Sequence, residues 1–313
     1  MDEPLTKTLF KQLPGQTVRH PLTGEELLLT TPSFRIGNTR FLKSRGLQLL
    51  NALAALKVQV LGSFWLPGMH IYRCEDLLPL TNDLKELKQG LFVGVTSAPM
   101  QEKGWYSFQG DPIMVVENVW SDVRDYQSSF KKKYRSRYKK ALSLTTKLTV
   151  SRVTSADEFR VCADLFHHTL APKVAALPEN LATFLGDFSQ WFGAQYEVMA
   201  AKDSNGEILG FIGYLKDGKV LRAMHYGAAE KAPEGLYSLL MFEIIHRGIQ
   251  GGFTEINLGR TATEIKSTYG AVARDNYFSF YTRRPLLKMI LRAAKKRYKL
   301  KEFTLRSPFK DAV

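Results

Sequence analysis

Residues 196–227 read YEVMAAKDSNGEILGFIGYLKDGKVLRAMHYG, and this stretch decides the fold. It contains three apolar runs that are separated by an Asn-Gly pair and an Asp-Gly pair: residues 196–202, 208–216 and 220–227. Asn-Gly and Asp-Gly between apolar runs favour the tight turns of β-hairpins. The stretch therefore predicts a meander of three antiparallel strands.

Helices are predicted on both sides of this meander. Ser155 is followed three residues later by Glu158, a capping box that predicts a helix beginning there, and a second helix is predicted over residues 181–192. Residues 234–250 are apolar on too many faces for a surface helix, so this helix should be mostly buried. Further elements are predicted along the chain: strands at 58–65, 91–97, 111–117, 147–153, 255–258 and 276–282, and helices at 43–56, 81–88, 121–142, 263–269 and from Pro285 onward.

Length and composition favour a folded protein with two packed lobes. The chain has 313 residues, of which 44% are hydrophobic and 24% charged. The first residues are partly acidic and lack the apolar segment of a signal peptide, which predicts a cytoplasmic protein. Cys74 and Cys162 are too few for a disulfide framework or a zinc site, so both are predicted to be buried thiols and no metal is expected.

The net charge of +14 is concentrated in two segments. Residues 131–147 contain eight Lys or Arg and residues 283–301 contain nine, and neither segment contains an acid. Removing these 17 from the 44 basic residues leaves 27, against 30 acidic ones, so the rest of the chain is slightly acidic. The two segments are therefore candidate anion-binding faces, with two solvated helix faces as the alternative.

The first basic segment belongs to a predicted helix that ends the first lobe. Phe130, Tyr134 and Tyr138 recur on one face, and the basic residues occupy the others. The residues expected to contact an anion or nucleic acid are Lys131, Lys132, Lys133, Arg135, Arg137, Lys139 and Lys140. The second basic segment forms an amphipathic helix whose apolar residues are predicted to pack on the protein rather than on lipid: Leu287, Ile290, Leu291 and Ala294.

Four stretches, taken with the order of elements, resemble a known family. The stretches are WSDVRDYQSSFKKKYRSRYKKAL (residues 120–142), NGEILGFIGYLKDGKVLRAMHYGA (205–228), GLYSLLMFEIIHRGIQGGFTEINLGRTATEIKSTYGA (235–271) and GSFWLPGMHIY (62–72). The order of helices, meander, buried helix, strand, short helix and strand resembles the GNAT acyltransferase fold. The quoted stretches are similar to its FemAB-like branch, which includes N-acyltransferases of peptidoglycan biosynthesis.

The resemblance implies an α/β (α+β) fold. It predicts a GNAT-like mixed, mostly antiparallel sheet flanked by helices, in two pseudo-repeated GNAT-like lobes. The domains expected on this basis are an N-terminal lobe at residues 1–119, a basic linking helix at 120–146, a C-terminal acyltransferase lobe at 147–284, and a basic amphipathic helix and tail at 285–313.

The resemblance also implies a direct transfer, in which an acceptor amine attacks a thioester or an aminoacyl ester. Such a reaction needs two oriented substrates, a hydrogen-bond donor for the developing oxyanion and a route for the amine proton. In the family the last strand of the meander supplies a backbone N–H, which here implies a substrate site from Met224 to Gly227. Residues 230–235 lack the glycine-rich turn of coenzyme-A-binding relatives, so acyl-CoA and aminoacyl-tRNA both remain as co-substrates, with no tightly bound cofactor.

Individual side chains have both functional and structural interpretations. His225 and Tyr226 are adjacent on a strand, so at most one should face the site; histidine suits proton removal and tyrosine suits protonation of the leaving group. Tyr269 is a second candidate acid. The remaining predicted substrate-binding residues are Gly259, Arg260, Glu264 and Lys266, for which a salt bridge of Arg260 and simple exposure of Lys266 are the structural alternatives.

Three classes of function remain open on the sequence alone. The first is an acyltransferase whose acceptor is a small-molecule or cell-envelope amine and whose donor could be a charged tRNA. The second is a non-catalytic basic module that binds RNA or makes peripheral contact with an anionic membrane. The third is a structural protein whose basic faces bind an acidic partner protein.

Overall fold

A computed structural model describes residues 91–170, 181–299 and 302–310, together with short strands between residues 16 and 61. It divides into two compact units that the chain enters and leaves more than once. We call residues 114–273 and 303–313 the central unit, and residues 6–113 and 274–302 the flanking unit. This division differs from the contiguous lobes expected from the sequence, because the last strand and the terminal helix cluster with N-terminal residues.

The elements are numbered along the described part of the chain. The strands are β1 (Gln16–Arg19), β2 (Glu26–Thr30), β3 (Ser33–Phe34), β4 (Leu56–Lys57), β5 (Gln59–Leu61), β6 (Phe92–Thr96), β7 (Trp105–Gln109), β8 (Ile113–Glu117), β9 (Thr149–Arg152), β10 (Tyr196–Lys202), β11 (Ile208–Asp217), β12 (Val220–Ala228), β13 (Glu255–Asn257), β14 (Val272–Arg274) and β15 (Tyr277–Tyr281). The helices are α1 (Val123–Ser129), α2 (Lys132–Leu142), α3 (Ala156–Leu170), α4 (Leu181–Phe192), α5 (Leu236–Gln250), α6 (Thr263–Ser267) and α7 (Pro285–Arg297).

A seven-stranded sheet organises the central unit. Its strand order is β14-β8-β13-β12-β11-β10-β9. Strand β12 pairs with β13 in parallel, whereas the pairings β13–β8, β12–β11, β11–β10 and β10–β9 are antiparallel. The predicted mixed, mostly antiparallel sheet flanked by helices is therefore confirmed.

The predicted meander and its flanking helices are also confirmed. Strands β10, β11 and β12 pair in sequence order, with Gly206 and Gly218 at positive φ in the connecting turns. The capping box at the start of α3 is formed, since the Glu158 N–H donates to the Ser155 Oγ and the Ser155 N–H donates to the Glu158 carboxylate, both at 3.3 Å. These features depend on neighbours in sequence, which explains why local patterns predict them.

Helix α5 lies in the main core of the central unit. This core is one apolar cluster to which α1, α2 and alternate residues of the sheet also contribute. Its fully buried members on α5 are at most 3% exposed, as the apolar pattern predicted: Leu236, Leu239, Leu240, Met241, Phe242, Ile244 and Ile245. Helix α3 packs against β12 and α4, so β12 contacts α5 through one set of side chains and α3 through the other.

The basic helix predicted as one continuous element is two helices. Helix α1 ends at Ser129, Phe130 adopts an extended backbone, and α2 begins at Lys132. Phe130 breaks the helix because it forms a β-bridge with Phe309, and the Lys131 N–H donates to the Pro308 carbonyl at 2.9 Å. A contact so distant in sequence cannot be read from local periodicity.

The segment at residues 302–310 completes this core. The Phe309 ring lies 5.0 Å from the Trp120 ring and 5.1 Å from the Phe130 ring, measured between centroids. Gly270 has a φ of 94°, and a Cβ at that position would lie 2.1 Å from the Phe309 ring. Glycine is therefore required at residue 270 both by its backbone conformation and by the space that Phe309 occupies.

The flanking unit contains a six-stranded sheet in the order β1-β2-β5-β6-β15-β7. Its small core contains Val60, Leu91 and Val93, against which Leu287 and Leu291 of α7 pack. The prediction that the terminal helix packs on the protein is therefore confirmed for these two leucines. Ile290 and Ala294 are exposed, so the prediction is wrong for them. Strand β7, which the sequence analysis did not predict, pairs with β15.

Some predictions concern residues outside the described part of the chain. These are the helices at residues 43–56 and 81–88, most of the strand at 58–65, the stretch GSFWLPGMHIY and the thiol of Cys74. Cys162 is completely buried, as predicted. In the ranges that the structure describes, every helix is too short or too polar to cross a bilayer.

Candidate active site

The sheet of the central unit opens where β12 and β13 diverge. The two strands pair only over Val220–Arg222 and Glu255–Asn257. Beyond this point the chain follows β8 instead, since the Leu258 N–H donates to the Met114 carbonyl at 2.8 Å and the Met114 N–H donates to the Gly259 carbonyl at 3.1 Å. Residues 223–228 of β12 therefore lie beyond the last pair that β12 forms with β13, and we call the region between the two diverging strands the opening.

A β-bulge lies in β12 at this opening. On β11 the pairing advances by two residues, from Tyr214 opposite Ala223 to Ile212 opposite Tyr226, so Met224 and His225 together face Gly213. The extra residue changes which side chains face α5. Before the bulge Leu221 belongs to the main core and Ala223 packs against it, and after the bulge Tyr226 packs against the same core. The bulge thus turns the Tyr226 side chain towards α5.

The backbone of β12 offers a hydrogen-bond donor towards the opening. The Ala229 N–H donates to the Leu209 carbonyl of the β11 side, whereas the Ala228 N–H points away and donates to the Thr169 Oγ1 at 3.1 Å. Because donors alternate along a strand, the Tyr226 N–H also points away from β11. A fixed amide N–H in this position suits an acyl carbonyl oxygen that gains negative charge.

Three hydroxyl side chains lie close to Tyr226: those of Tyr237, Ser238 and Tyr269. The Tyr226 ring lies 4.9 Å from the Tyr237 ring and perpendicular to it, and the Ser238 Oγ lies 2.7 Å from the Tyr269 Oη. Burial, and then the neighbouring tyrosines, raise the pKa of Tyr237; burial and then Tyr226 raise the pKa of Tyr269, although Ser238 opposes this. These phenols therefore stay protonated at neutral pH and can donate a proton.

The structure brings together Tyr226 and Tyr269, which the sequence analysis proposed as separate candidates. Tyr237 and Ser238 were missed. Their signal in the sequence was the presence of two hydroxyl groups in the first turn of an otherwise apolar helix. Tyr126 helps to hold Tyr269 in place, because its buried hydroxyl donates to the Tyr269 carbonyl at 2.8 Å.

A strained loop connects β13 to α6 at the base of the opening. Gly259 has a φ of 75°, and the two non-glycine residues Thr261 and Ala262 have φ values of 63° and 48°. Left-handed backbone at non-glycine residues costs about 1–3 kcal/mol each and persists only where surrounding contacts enforce it. The loop also lies against β12, since a Cβ on Gly259 would be 3.6 Å from the Ala223 carbonyl oxygen.

Lys266 supplies contacts that hold this loop. Its Nζ donates to the Arg260 carbonyl at 2.6 Å and to the Gly259 carbonyl at 3.2 Å, and the residue is only 3% exposed. Burial, and then the charge of Arg260, lower the pKa of Lys266 to about 7. Simple solvent exposure, the structural alternative for Lys266, is therefore wrong.

The other residues proposed for this loop lie on its outer side. Arg260 is half-buried, whereas Glu264 is exposed and its carboxylate accepts the Thr304 N–H at 3.2 Å. Glu264 and Lys266 therefore occupy different faces of α6, as their spacing predicted.

His225 lies on the opposite face of β12 from Tyr226. It is 2% exposed, and its Nδ1 lies 2.8 Å from the Tyr196 Oη. The His225 ring is flanked by the rings of Phe166 and Phe188, at 5.3 and 5.1 Å. Of the two adjacent residues, only Tyr226 therefore lies on the α5 side of β12.

Two glycines allow this arrangement. A Cβ at Gly213 would lie 2.2 Å from the Tyr196 hydroxyl, which occupies the space opposite the bulge. A Cβ at Gly227 would lie 2.6 Å from the Leu165 carbonyl carbon, because α3 packs directly on the backbone of β12. Gly227, predicted as a substrate-site residue, thus provides a close approach of helix and strand.

The start of α5 lies near the end of the basic helix α2. Gly235 precedes α5 with a φ of 96° and has no side-chain cap. Glu234 forms a 3.7 Å ion pair with Lys140 of α2. Helix α2 therefore brings positive charge to the end of α5 where the helix dipole is also positive.

The predicted anion-binding residues of α2 are mostly available to solvent. Those that are exposed are Lys132, Lys133, Arg137, Lys139 and Lys140, and the helix contains no acidic residue. Arg135 is half-buried and its Nη2 donates to the Phe130 carbonyl at 2.8 Å, so it stabilises the break between α1 and α2. Lys131 is half-buried at the start of α2.

Comparison with known proteins identifies the fold of this chain. Residues 128–267 match the family model of an acetyltransferase (GNAT) domain, which confirms the resemblance seen in the sequence. This match supports an acyltransferase. No curated protein matches the sequence.

Two solved structures resemble nearly the whole chain, and a third resembles about three quarters of it. The C-terminal domain of a putative lysylphosphatidylglycerol synthetase from Agrobacterium fabrum has 11% identity and a TM-score of 0.57, over 94% of this chain and 92% of that one. The protein FemX has 13% identity and a TM-score of 0.53, over 91% and 92%. A conserved protein of unknown function from Bacteroides thetaiotaomicron has 13% identity and a TM-score of 0.50, over 72% and 79%. At these identities the likeness shows the fold alone.

Proposed function

Starting from a GNAT acetyltransferase domain at residues 128–267, we propose that this protein is an N-acyltransferase. It transfers an acyl or aminoacyl group from a thioester or ester donor to an acceptor amine by direct attack. The observation that carries the proposal is the opening between β12 and β13, which a strand N–H and a cluster of protonated hydroxyls border. Such an opening can hold an acyl carbonyl in a fixed orientation.

In the proposed reaction the donor carbonyl oxygen accepts a hydrogen bond from the Tyr226 N–H. The free amine attacks the carbonyl carbon, a C–N bond forms, and the C–S or C–O bond of the donor breaks. Tyr269 donates its proton to the leaving thiolate or alkoxide and regains one from the attacking nitrogen. Ser238 lies 2.7 Å from Tyr269 and holds its hydroxyl in position.

Other residues position this machinery. Lys266 holds the Gly259–Arg260 loop through its two carbonyls, and we assign the Arg260 guanidinium on this loop to binding an anionic group of a substrate. His225 pairs with Tyr196 on the far face of β12, so we assign it to supporting the bulge rather than to proton transfer. Met224 lies within the bulge and contributes backbone to the opening.

Acyl-CoA is the donor that GNAT proteins generally use, and we propose it first. Its phosphates would lie at the start of α5, where Lys140 offsets the charge of Glu234. Aminoacyl-tRNA is the alternative donor, because the exposed basic residues of α2 could contact a phosphate backbone. A small-molecule or cell-envelope amine is the acceptor that we propose, in line with the similarity of fold to FemX.

The test is binding and transfer with both donors. Purified protein is titrated with acyl-CoA and with aminoacyl-tRNA at two salt concentrations, and thiol release is then followed with a panel of primary amines. Arg260→Ala should weaken donor or acceptor binding, whereas Arg160→Ala, which removes an exposed arginine on α3, should not. Binding of neither donor, or equal effects of the two variants, would contradict the proposal.

The second candidate function is a non-catalytic basic module that binds RNA or an anionic surface through α2. It is favoured by the five exposed cations of a helix without any acidic residue. Reversing the charges of Lys132, Lys133 and Lys139 to Glu would then abolish function, whereas Tyr269→Phe would have no effect. The acyltransferase proposal expects Tyr269→Phe to reduce transfer.

A further inference from the structure

Helix α7 is firmly attached to the flanking unit through one of its faces. Leu287 and Leu291 pack on the apolar core of that unit. Tyr298, just after the helix, donates its hydroxyl to the Gln109 carbonyl, and its ring lies 5.5 Å from the Phe108 ring. The orientation of α7 is therefore fixed by three contacts spaced along its length.

A second apolar face of α7 points to solvent. Leu286, Met289 and Ile290 are 63%, 61% and 51% exposed. They occupy positions i, i+3 and i+4, so they form one stripe, which Ala293 extends by another turn. The described residues include nine exposed large apolar side chains, and three of them lie within five consecutive residues of α7. This clustering is not the scatter expected of single surface residues.

Basic side chains lie along one edge of this stripe, and Leu287 and Leu291 lie along the other. Residues 283–301 contain nine Lys or Arg and no Asp or Glu. Those on α7 itself are Lys288, Arg292, Lys295, Lys296 and Arg297. The exposed surface of α7 therefore combines aliphatic side chains with positive charge, whereas the exposed surface of α2 is basic without large aliphatic residues.

We propose that α7 is a docking surface for an anionic lipid bilayer. A helix with an aliphatic stripe flanked by Lys and Arg lies in the membrane interface, with its apolar face among the acyl chains and its cations at anionic headgroups. A second copy of this chain fits poorly, because two α7 surfaces would bring only positive charges together. RNA would use the cations but would leave the aliphatic stripe in water.

The fixed orientation of α7 makes this docking a surface contact. A helix of this length is about 20 Å long, and it would lie parallel to the bilayer surface. Leu287 and Leu291 stay packed on the flanking unit, so the helix need not detach when Leu286, Met289 and Ile290 enter the interface. The inference is independent of the proposed transferase activity and can fail or succeed without it.

The experiment measures binding of the full chain to vesicles by sedimentation. Vesicles of phosphatidylcholine with 30% phosphatidylglycerol are compared with vesicles of phosphatidylcholine alone, at low salt. We expect binding to the anionic vesicles only. The variant Leu286→Ser/Met289→Ser/Ile290→Ser keeps every charge and should bind about 100-fold more weakly. The variant Lys288→Gln/Arg292→Gln/Lys295→Gln should also lose about 100-fold.

A matched variant on α2 provides the control. Lys132→Gln/Lys133→Gln/Lys139→Gln removes the same charge from an exposed basic helix and should weaken vesicle binding only a few-fold. Circular dichroism melting curves of all variants should match that of the wild type, because the replaced side chains make no core contact.

Three results would overturn the proposal. The first is vesicle binding that the α7 serine variant leaves unchanged. The second is equal losses in the α7 and α2 charge variants. The third is absence of vesicle binding, whether or not the α7 variants alter self-association or RNA binding.

Discussion

Replacing Lys266 with methionine tests the account of the loop at the base of the opening. Methionine keeps the length of the side chain but removes the amine that donates to the Gly259 and Arg260 carbonyls. It also removes a cation that is only 3% exposed and whose pKa is lowered, by burial and then by Arg260, from 10.5 to about 7. The substitution therefore changes the free energy of unfolding in two ways, one that depends on pH and one that does not.

The effect that depends on pH follows from proton binding. Between pH 7 and pH 10.5 the unfolded chain keeps the Lys266 proton while the folded protein has released it, so wild-type stability rises with pH in this window. At about 1.4 kcal/mol per pH unit, with the amine half-titrated at pH 7, the gain from pH 7 to pH 9 is about 2 kcal/mol. Lys266→Met cannot show this gain. The two lost hydrogen bonds add a constant destabilisation of about 1–3 kcal/mol.

The measurement is urea unfolding of wild type and Lys266→Met at pH 7, 8 and 9, followed by circular dichroism. It gives the difference in unfolding free energy between the two proteins at each pH. Other groups titrate in both proteins and cancel in the comparison. Lys139→Met removes an exposed lysine and should leave the difference from wild type independent of pH. If the difference between wild type and Lys266→Met is also constant from pH 7 to pH 9, the amine is not held in the buried state described above.

Three further substitutions probe the site and its support. Gly227→Ala would place a Cβ within 2.6 Å of the α3 backbone and should lower the free energy of unfolding, measured by urea titration, by about 1–3 kcal/mol. A stability equal to that of the wild type would contradict the close packing of α3 on β12. Tyr269→Phe should slow acyl transfer about 100-fold. The control Tyr138→Phe removes a buried hydroxyl that pairs with His246 and should leave the transfer rate unchanged. Equal transfer rates of the two variants would refute the proton-transfer role of Tyr269. Thr261→Gly removes the strain of a left-handed backbone and should raise the thermal midpoint by an amount that corresponds to about 1 kcal/mol of unfolding free energy. Thr268→Gly, at a residue with right-handed backbone, should lower the thermal midpoint.

Much of the central unit could be predicted because its signals are local. Asn-Gly and Asp-Gly turns determine the meander, and Ser155 with Glu158 determines the start of α3. Each depends on residues within a few positions of one another. The same holds for α5, whose apolar residues exceed what one exposed face could carry.

Features that depend on distant contacts could not be predicted. The break before Lys132 exists because Phe130 pairs with Phe309, and neither residue signals the other. The splitting of the chain into interleaved units depends on where β15 pairs, which strand patterns do not reveal.

The site at Met224 to Gly227 was implied by the family resemblance and stays a prediction. These residues lie where β12 and β13 diverge. The sequence could not show which of His225 and Tyr226 lies on the α5 side of β12. A bulge shifts the alternation of side chains between the two faces of a strand, and nothing in the sequence pattern marks where it occurs. The sequence also left the burial of Lys266 open, since spacing on a short helix does not show which face is covered.

The bulge at Met224 and His225 also has a consequence for how this strand can evolve. Upstream of it odd-numbered residues face α5, and downstream even-numbered residues do. Deleting Met224 or His225 would restore regular alternation and leave Tyr226 on its present side, because Tyr226 would then stand two positions after Ala223 and opposite Ile212 as before. The bulge can therefore absorb the loss of one residue, whereas a deletion at a regular position of β12 would move every later side chain to the opposite face.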